Sequence, residues 1–142
     1  MKRSKIILFS CVILLLSCSK DEWINNPEGL EAEISLAAGM CGTTKLIKIN
    51  KDRTSKSVPQ NSCVTLQAEK VQQTDEVVFE KLNSFVKKLD LQKNPIQECW
   101  RCVDGADYIV KLRNGSNSIE HSISLNTDDK VRREFVEFLE SL

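Results

Sequence analysis

The sequence predicts an α+β domain, a two-layer sandwich with two amphipathic helices on one face of a mainly antiparallel, four-stranded sheet. Segments 76–89 and 131–142 repeat apolar residues at the helical period. Segments 64–68, 108–113 and 119–125 alternate apolar and polar residues, the pattern of a half-buried strand. The whole chain has 142 residues, 41% apolar and 28% charged, which suits one globular domain and carries too much hydrophobe for a disordered chain.

The N-terminus stands apart from that domain. Lys2, Arg3 and Lys5 precede an apolar run from residue 6 to residue 16, broken only by Ser10. Eleven helical residues rise about 16 Å, roughly half of a ~30 Å hydrocarbon core. A basic start, a short apolar run and a small residue at its end predict a secretory signal peptide over 1–17. Residues 18–29 then read as a linker rich in polar and turn-forming residues, and 30–142 as the single globular domain. Removing 1–17 takes three of the 20 cations and none of the 20 acids, so 125 residues with a formal charge of −3 remain. Trp23, in the linker, is expected to rest on the domain or near the lipid interface.

The end of the apolar run, Leu15-Leu16-Ser17-Cys18, resembles the lipobox of bacterial lipoproteins. The resemblance implies cleavage before Cys18 and acylation of that cysteine, which becomes the membrane anchor. Two or three acyl chains, at ~0.8 kcal/mol per buried CH₂, hold a protein stably where one does not. No aspartate follows Cys18 directly, and Lys20-Asp21-Glu22 resembles the acidic signal that sends some Gram-negative lipoproteins to the cell surface. The implied location is the cell envelope, as an outer-membrane lipoprotein with surface display ahead of a periplasm-facing anchor.

Within the domain, Leu30, Ile34, Ala37 and Ala38 share a helical face between Gly29 and Gly39, predicting a short helix or an irregular stretch. A strand is expected at 46–49, a polar loop at 51–62 and a second strand at 64–68. Thr74 or Asp75 caps a helix over 76–89, with Val78, Leu82, Phe85, Val86 and Leu89 in one stripe, and Asn94-Pro95 closes that region. Strands at 108–113 and 119–125 flank a loop containing Asn114-Gly115, which predicts a hairpin. Thr127 or Asp128 caps a last helix with Val131, Phe135, Phe138, Leu139 and Leu142 on one face. The expected order is β-β-α-β-β-α.

That order is reminiscent of small uncharacterised envelope domains and of proteinaceous inhibitors of thermolysin-like proteases. Gly39-Met40-Cys41-Gly42 leads into the first expected strand and Asp104-Gly105-Ala106-Asp107-Tyr108 into the third. The likeness covers roughly 40–142 and rests on element order, so no inhibitory residue is carried over.

Six cysteines sort by fate. Cys11 leaves with the leader and Cys18 takes the lipid, leaving Cys41, Cys63, Cys99 and Cys102 as disulfide candidates with three connectivities. The coarse topology favours Cys63 with Cys99 or Cys102 and puts Cys41 at the opposite end. Cys99-Trp100-Arg101-Cys102 also admits a redox reading, but a redox pair normally follows a strand and opens a helix, and this one precedes a strand. A tetrathiolate zinc site is disfavoured by the single Cys-x-x-Cys pair. No metal or other cofactor is expected.

His121 alternates in phase with Ile119, Ile123 and Leu125, as a partly buried structural histidine rather than a general base. Asp104, Asp107, Asp128 and Asp129 lack the spacing of a calcium loop and read as turn formers and caps. The balanced charge argues against a nucleic-acid partner, which calls for a basic excess. The expected function is therefore a non-enzymatic binding domain, held to the membrane by its lipid and engaging an envelope or surface protein. Protease inhibition through residues 51–62 or 114–117 is the alternative, and thiol–disulfide redox chemistry at Cys99 and Cys102 a further one.

Overall fold

The computed structural model describes residues 26–39, 42–57 and 70–142. A single 3-10 turn, Pro27–Gly29, leads into β1 (Leu30–Ala38), β2 (Gly42–Ile49), β3 (Arg53–Ser57) and β4 (Lys70–Gln73). Helix α1 (Glu76–Lys88) follows, then a 3-10 turn at Arg101–Val103, β5 (Ala106–Asn114), β6 (Asn117–Ser124) and α2 (Lys130–Ser141). All six strands form one antiparallel sheet in the order β4-β3-β2-β1-β5-β6.

The sheet thus has six strands where four were expected. Segment 30–38 is a strand, and it occupies the middle of the sheet. Leu30, Ala32 and Ile34 are buried while Glu31 stays exposed, an alternation that fits a strand with one covered face. Ala37 and Ala38 are what made the same residues look helical. β3 lies inside the expected polar loop. Its sequence, Arg-Thr-Ser-Lys-Ser, contains no hydrophobe, and it is held by pairing with β2 and β4. The expected strand 64–68 falls outside the described residues.

The C-terminal half follows the sequence more closely. Asp75 caps α1 by accepting from the Val77 N–H at 2.8 Å. Asp129 caps α2 by accepting from the Arg132 N–H at 2.8 Å, one or two positions beyond the expected caps. α1 ends within one residue of the expected position, in a Schellman turn after Leu89. Asp90 takes a left-handed φ of 49°, its N–H donates to Lys87 O, and the Leu91 N–H donates to Val86 O. The β5–β6 hairpin turns on two residues, Gly115 and Ser116, between paired Asn114 and Asn117. Gly115 has φ 58°, at the first central position, where glycine suits a type II′ turn.

One core lies between the helices and one face of the sheet. Ala32, Ile34, Ile47, Ile49, Tyr108, Val110, Leu112 and Ile123 meet Phe79, Leu82, Val86 and Leu139 there. Phe85 joins the helices, its ring 5.1 Å from Phe135 and 5.5 Å from Phe138. The other face carries a row of alternating charge, in which Lys48 pairs with Glu33, Glu33 with Lys111 and Lys111 with Glu120. Lys45 Nζ donates to Leu139 O at 3.3 Å and Lys56 Nζ to Leu142 O, placing two ammonium groups at the negative end of α2.

Ile34 is fully buried on the central strand, against Ile47 and Val110. Ile34→Ala should destabilise the domain by about 3 kcal/mol, as cavity-forming truncations do. Urea titration should show a lower midpoint with an unchanged slope.

Candidate binding site

The connection from α1 to β5 builds the most constrained surface feature of the domain. Residues 96–98 run along the outer edge of β6. The Ser122 N–H donates to Ile96 O at 2.8 Å and the Glu98 N–H to Ser122 O at 2.9 Å, forming a parallel bridge at Gln97. The Glu98 carboxylate then accepts from Ser124 N at 2.8 Å, Thr127 Oγ1 at 3.2 Å and Arg132 Nη1 at 2.5 Å. That knot ties the connection to the start of α2.

Cys99 and Cys102 come next, joined by a disulfide with their Cα atoms 5.4 Å apart. The bridge encloses Trp100 and Arg101, and the 3-10 turn Arg101–Val103 completes the loop. Asp104 reverses the chain with φ 66°, a left-handed conformation that a short polar side chain tolerates. The N–H groups of Val103 and Gly105 both donate to Trp100 O at 3.0 Å. A Cβ on Gly105 would fall inside the Trp100 indole, so the ring lies flush on this glycine.

Asp107 fixes the loop from below. It is fully buried at the start of β5, on the sheet face turned away from the helices. Its carboxylate accepts from Trp100 N at 2.8 Å and Arg101 N at 3.2 Å, with Arg101 Nε 3.6 Å away. A buried carboxylate that takes two backbone donors and faces a guanidinium is satisfied where an unpaired one would be costly. The result is a rigid loop with Trp100 42% and Val103 65% exposed, two of the few large hydrophobes on the described surface.

The disulfide joins the two cysteines of the Cys-x-x-Cys motif, so neither Cys99 nor Cys102 pairs with Cys63. Ala38 and Gly42, which flank residues 40 and 41, pair with Ala106 and with each other. They stand at the same end of the sheet as the Cys99–Cys102 loop, and Gly39 N donates to Gly105 O at 3.2 Å. Cys18, Cys41 and Cys63 themselves lie outside the described residues. Asp107 and Glu98, the two side chains that organise the loop, were not singled out as a pair by any spacing in the sequence. Asp104 and Asp129 serve as the turn former and cap expected of them, and Asp128 lies beside that cap.

His121 is fully buried, more deeply than expected. Its Nδ1 accepts from the Ile96 N–H at 3.1 Å, so the imidazole holds the start of the same connection. Burial pushes its pKa below 6.5, against the opposing pull of the Leu91 carbonyl and Glu120. Its environment is that of a structural clamp. Among the described residues no group of three His, Cys, Asp or Glu side chains is placed to hold a metal ion.

A depression of about 810 Å³ lies elsewhere, between the start of α1 and the β2–β3 turn. Three of its polar side chains are engaged. Lys51 Nζ donates to Glu28 Oε1 at 2.6 Å across the rim, and Thr74 Oγ1 donates to Asn50 O at 2.7 Å and contacts Thr54 Oγ1 at 3.0 Å.

The histidine sets a pH dependence. A folded pKa held below the unfolded value stabilises the domain fully above pH 6.5, and that contribution is lost as pH falls through the folded value. Urea midpoints should drop on acidification below about pH 6.5, and His121→Gln should flatten that part of the profile. An identical profile in the variant would assign the loss to other groups. Compared with protein-family models and with curated proteins, the chain matches none.

Proposed function

We propose that this chain is a membrane-anchored lipoprotein of the bacterial cell envelope, held by acylated Cys18, whose domain works by binding rather than by catalysis. The anchor rests on the sequence Leu15-Leu16-Ser17-Cys18 and the leader before it. Among the described residues no helix is long and apolar enough to cross a membrane. The finer location, the outer membrane with the domain facing the cell exterior, rests on the residues after Cys18.

The observation that supports binding over redox chemistry is the position of Asp107. A reactive Cys-x-x-Cys thiolate is stabilised by the free amides that follow it at a helix start. Here the amides of Trp100 and Arg101 already donate to the Asp107 carboxylate. A negative group at that point disfavours a second negative charge on sulfur. The wiring suits a permanent bridge that shapes a loop, and the 3-10 turn within it is unlike the extended segment a protease cleft accepts. With Cys99 and Cys102 paired, Cys41 and Cys63 are left as the second disulfide, in connections that leave the sheet at one end.

Three measurements test this reading. Metabolic labelling with a fatty acid should mark the wild-type chain and not Cys18→Ala; label persisting in the variant would remove the anchor. Non-reducing peptide mapping should give one peptide carrying both Cys99 and Cys102, and a second linkage between Cys41 and Cys63. After reduction, Cys99 should alkylate no faster than an ordinary thiol at about pH 6, and Asp107→Asn should accelerate it. A Cys99 that already reacts rapidly at that pH in the wild type would favour the redox alternative.

A further inference from the structure

We propose that the Cys99–Cys102 loop is a docking knob for another protein, one that offers an apolar recess to Trp100 and Val103 and an arginine or lysine to the acidic notch beside the indole. This deepens the binding function proposed above and rests on it.

Shape and chemistry both lead there. In a 3-10 turn the side chains at i and i+3 eclipse, so Trp100 and Val103 project together from one side of the loop. Tryptophan and arginine are the side chains that most often anchor protein interfaces. The loop reaches the partner already ordered, closed by its disulfide, clamped by Asp107 and stacked on Gly105. Little side-chain or backbone freedom is left to lose on binding.

Charge selects the partner. A notch of about 430 Å³ opens next to Trp100, with Asn126, Asp128, Asp129 and Arg132 in its wall. The cations here are engaged internally, Arg132 with Glu98, Arg101 beside Asp107 and Arg133 with the carbonyls of Thr127 and Asp128, three against the five carboxylates of Glu98, Asp104, Asp107, Asp128 and Asp129. Asp128 and Asp104 carry no such counter-ion, and Asp129 meets only the α2 amide it caps. The uncompensated charge around the indole is therefore negative. A guanidinium or ammonium in the notch meets two carboxylates, which reward a cation.

The position is suitable as well. The chain approaches β1 through Asn26, whose carbonyl accepts from Asn114 Nδ2 at 2.8 Å at one end of the sheet. The knob lies at the other end, beyond Ala38 and Ala106. The steps between the nine residues of β1, at about 3.4 Å each, put roughly 27 Å between the point where the tether joins and the knob. Loop and notch alone fall short of the ~1,200–2,000 Å² of a stable complex, so the encounter belongs to the transient class.

The test uses the full chain in its own membranes. A photo-crosslinking amino acid replaces Val103 or, as control, Glu137 on the exposed side of α2. Position 103 should give a discrete crosslinked protein band that is absent from position 137. Adding Trp100→Ala or Asp128→Lys should reduce that band about tenfold, and raised salt should weaken it. Peptide mapping of the Cys99–Cys102 bridge in each variant checks that the loop has formed. Equal bands from both positions, crosslinks to lipid alone, no band, or a band indifferent to both substitutions would each overturn the proposal. Failure of the anchor itself is read separately, as loss of acyl label from Cys18.

Discussion

The pairing of β1 with β5 is the constraint on which the rest of the structure depends. β1 is bonded on both sides, to β2 and to β5. Through the second pairing it joins the N-terminal meander to the C-terminal hairpin, from Leu30 opposite Asn114 to Ala38 opposite Ala106. Without that register the sheet would be a four-stranded meander and a separate two-stranded hairpin, the latter too small to be stable alone. The same register places Ala38 and Gly39 against Ala106 and Gly105, and so fixes where Asp107 leaves the loop and joins the sheet. Fold and candidate site are thus set by one set of backbone bonds.

Asp107 extends this order into the loop. A backbone segment as short as 99–105 cannot satisfy its own amides by regular structure, and buried or half-buried donors must find acceptors. Asp107 supplies two, the Trp100 carbonyl takes two more N–H groups, and the disulfide limits what conformations compete. Glu98 does the same one step earlier in the chain, collecting an amide, a hydroxyl and a guanidinium. Two carboxylates therefore hold residues 98–105, whereas Leu91 and Ile96 earlier in the same connection are held by the hydrophobic core.

How much of this was legible in the sequence varies with the kind of force involved. The two helices and the β5–β6 hairpin were legible, because burying one face imposes a period on the chain. β1 was ambiguous, since Leu30, Ile34, Ala37 and Ala38 satisfy a helical spacing while Leu30, Ala32, Ile34 and Leu36 satisfy a strand. Glu31, Glu33 and Ser35 between the latter were the deciding signal. β3 was not legible at all. It has no hydrophobe to reveal it, and its bonds are to neighbours rather than to a core. Asp107 carries a signal only once residues seven positions upstream fold back upon it, so as a lone aspartate before a strand it reads as a turn former. The 99–102 bridge was one of several pairings that composition allowed, and only the turn geometry selects it.

The opposite placement of the chain's entry and the loop has a mechanical side. The chain enters at the start of β1, and the loop hangs from the start of β5, its antiparallel neighbour. A pull applied between Asn26 and the loop would act along the strands, in opposite directions on the two. The nine residue pairs between β1 and β5 would be loaded together in shear, rather than opened one after another like a zip. Because β1 is also bonded to β2, the force spreads across the middle of the sheet. The short edge strand β4, held by four residue pairs, lies outside that line of load.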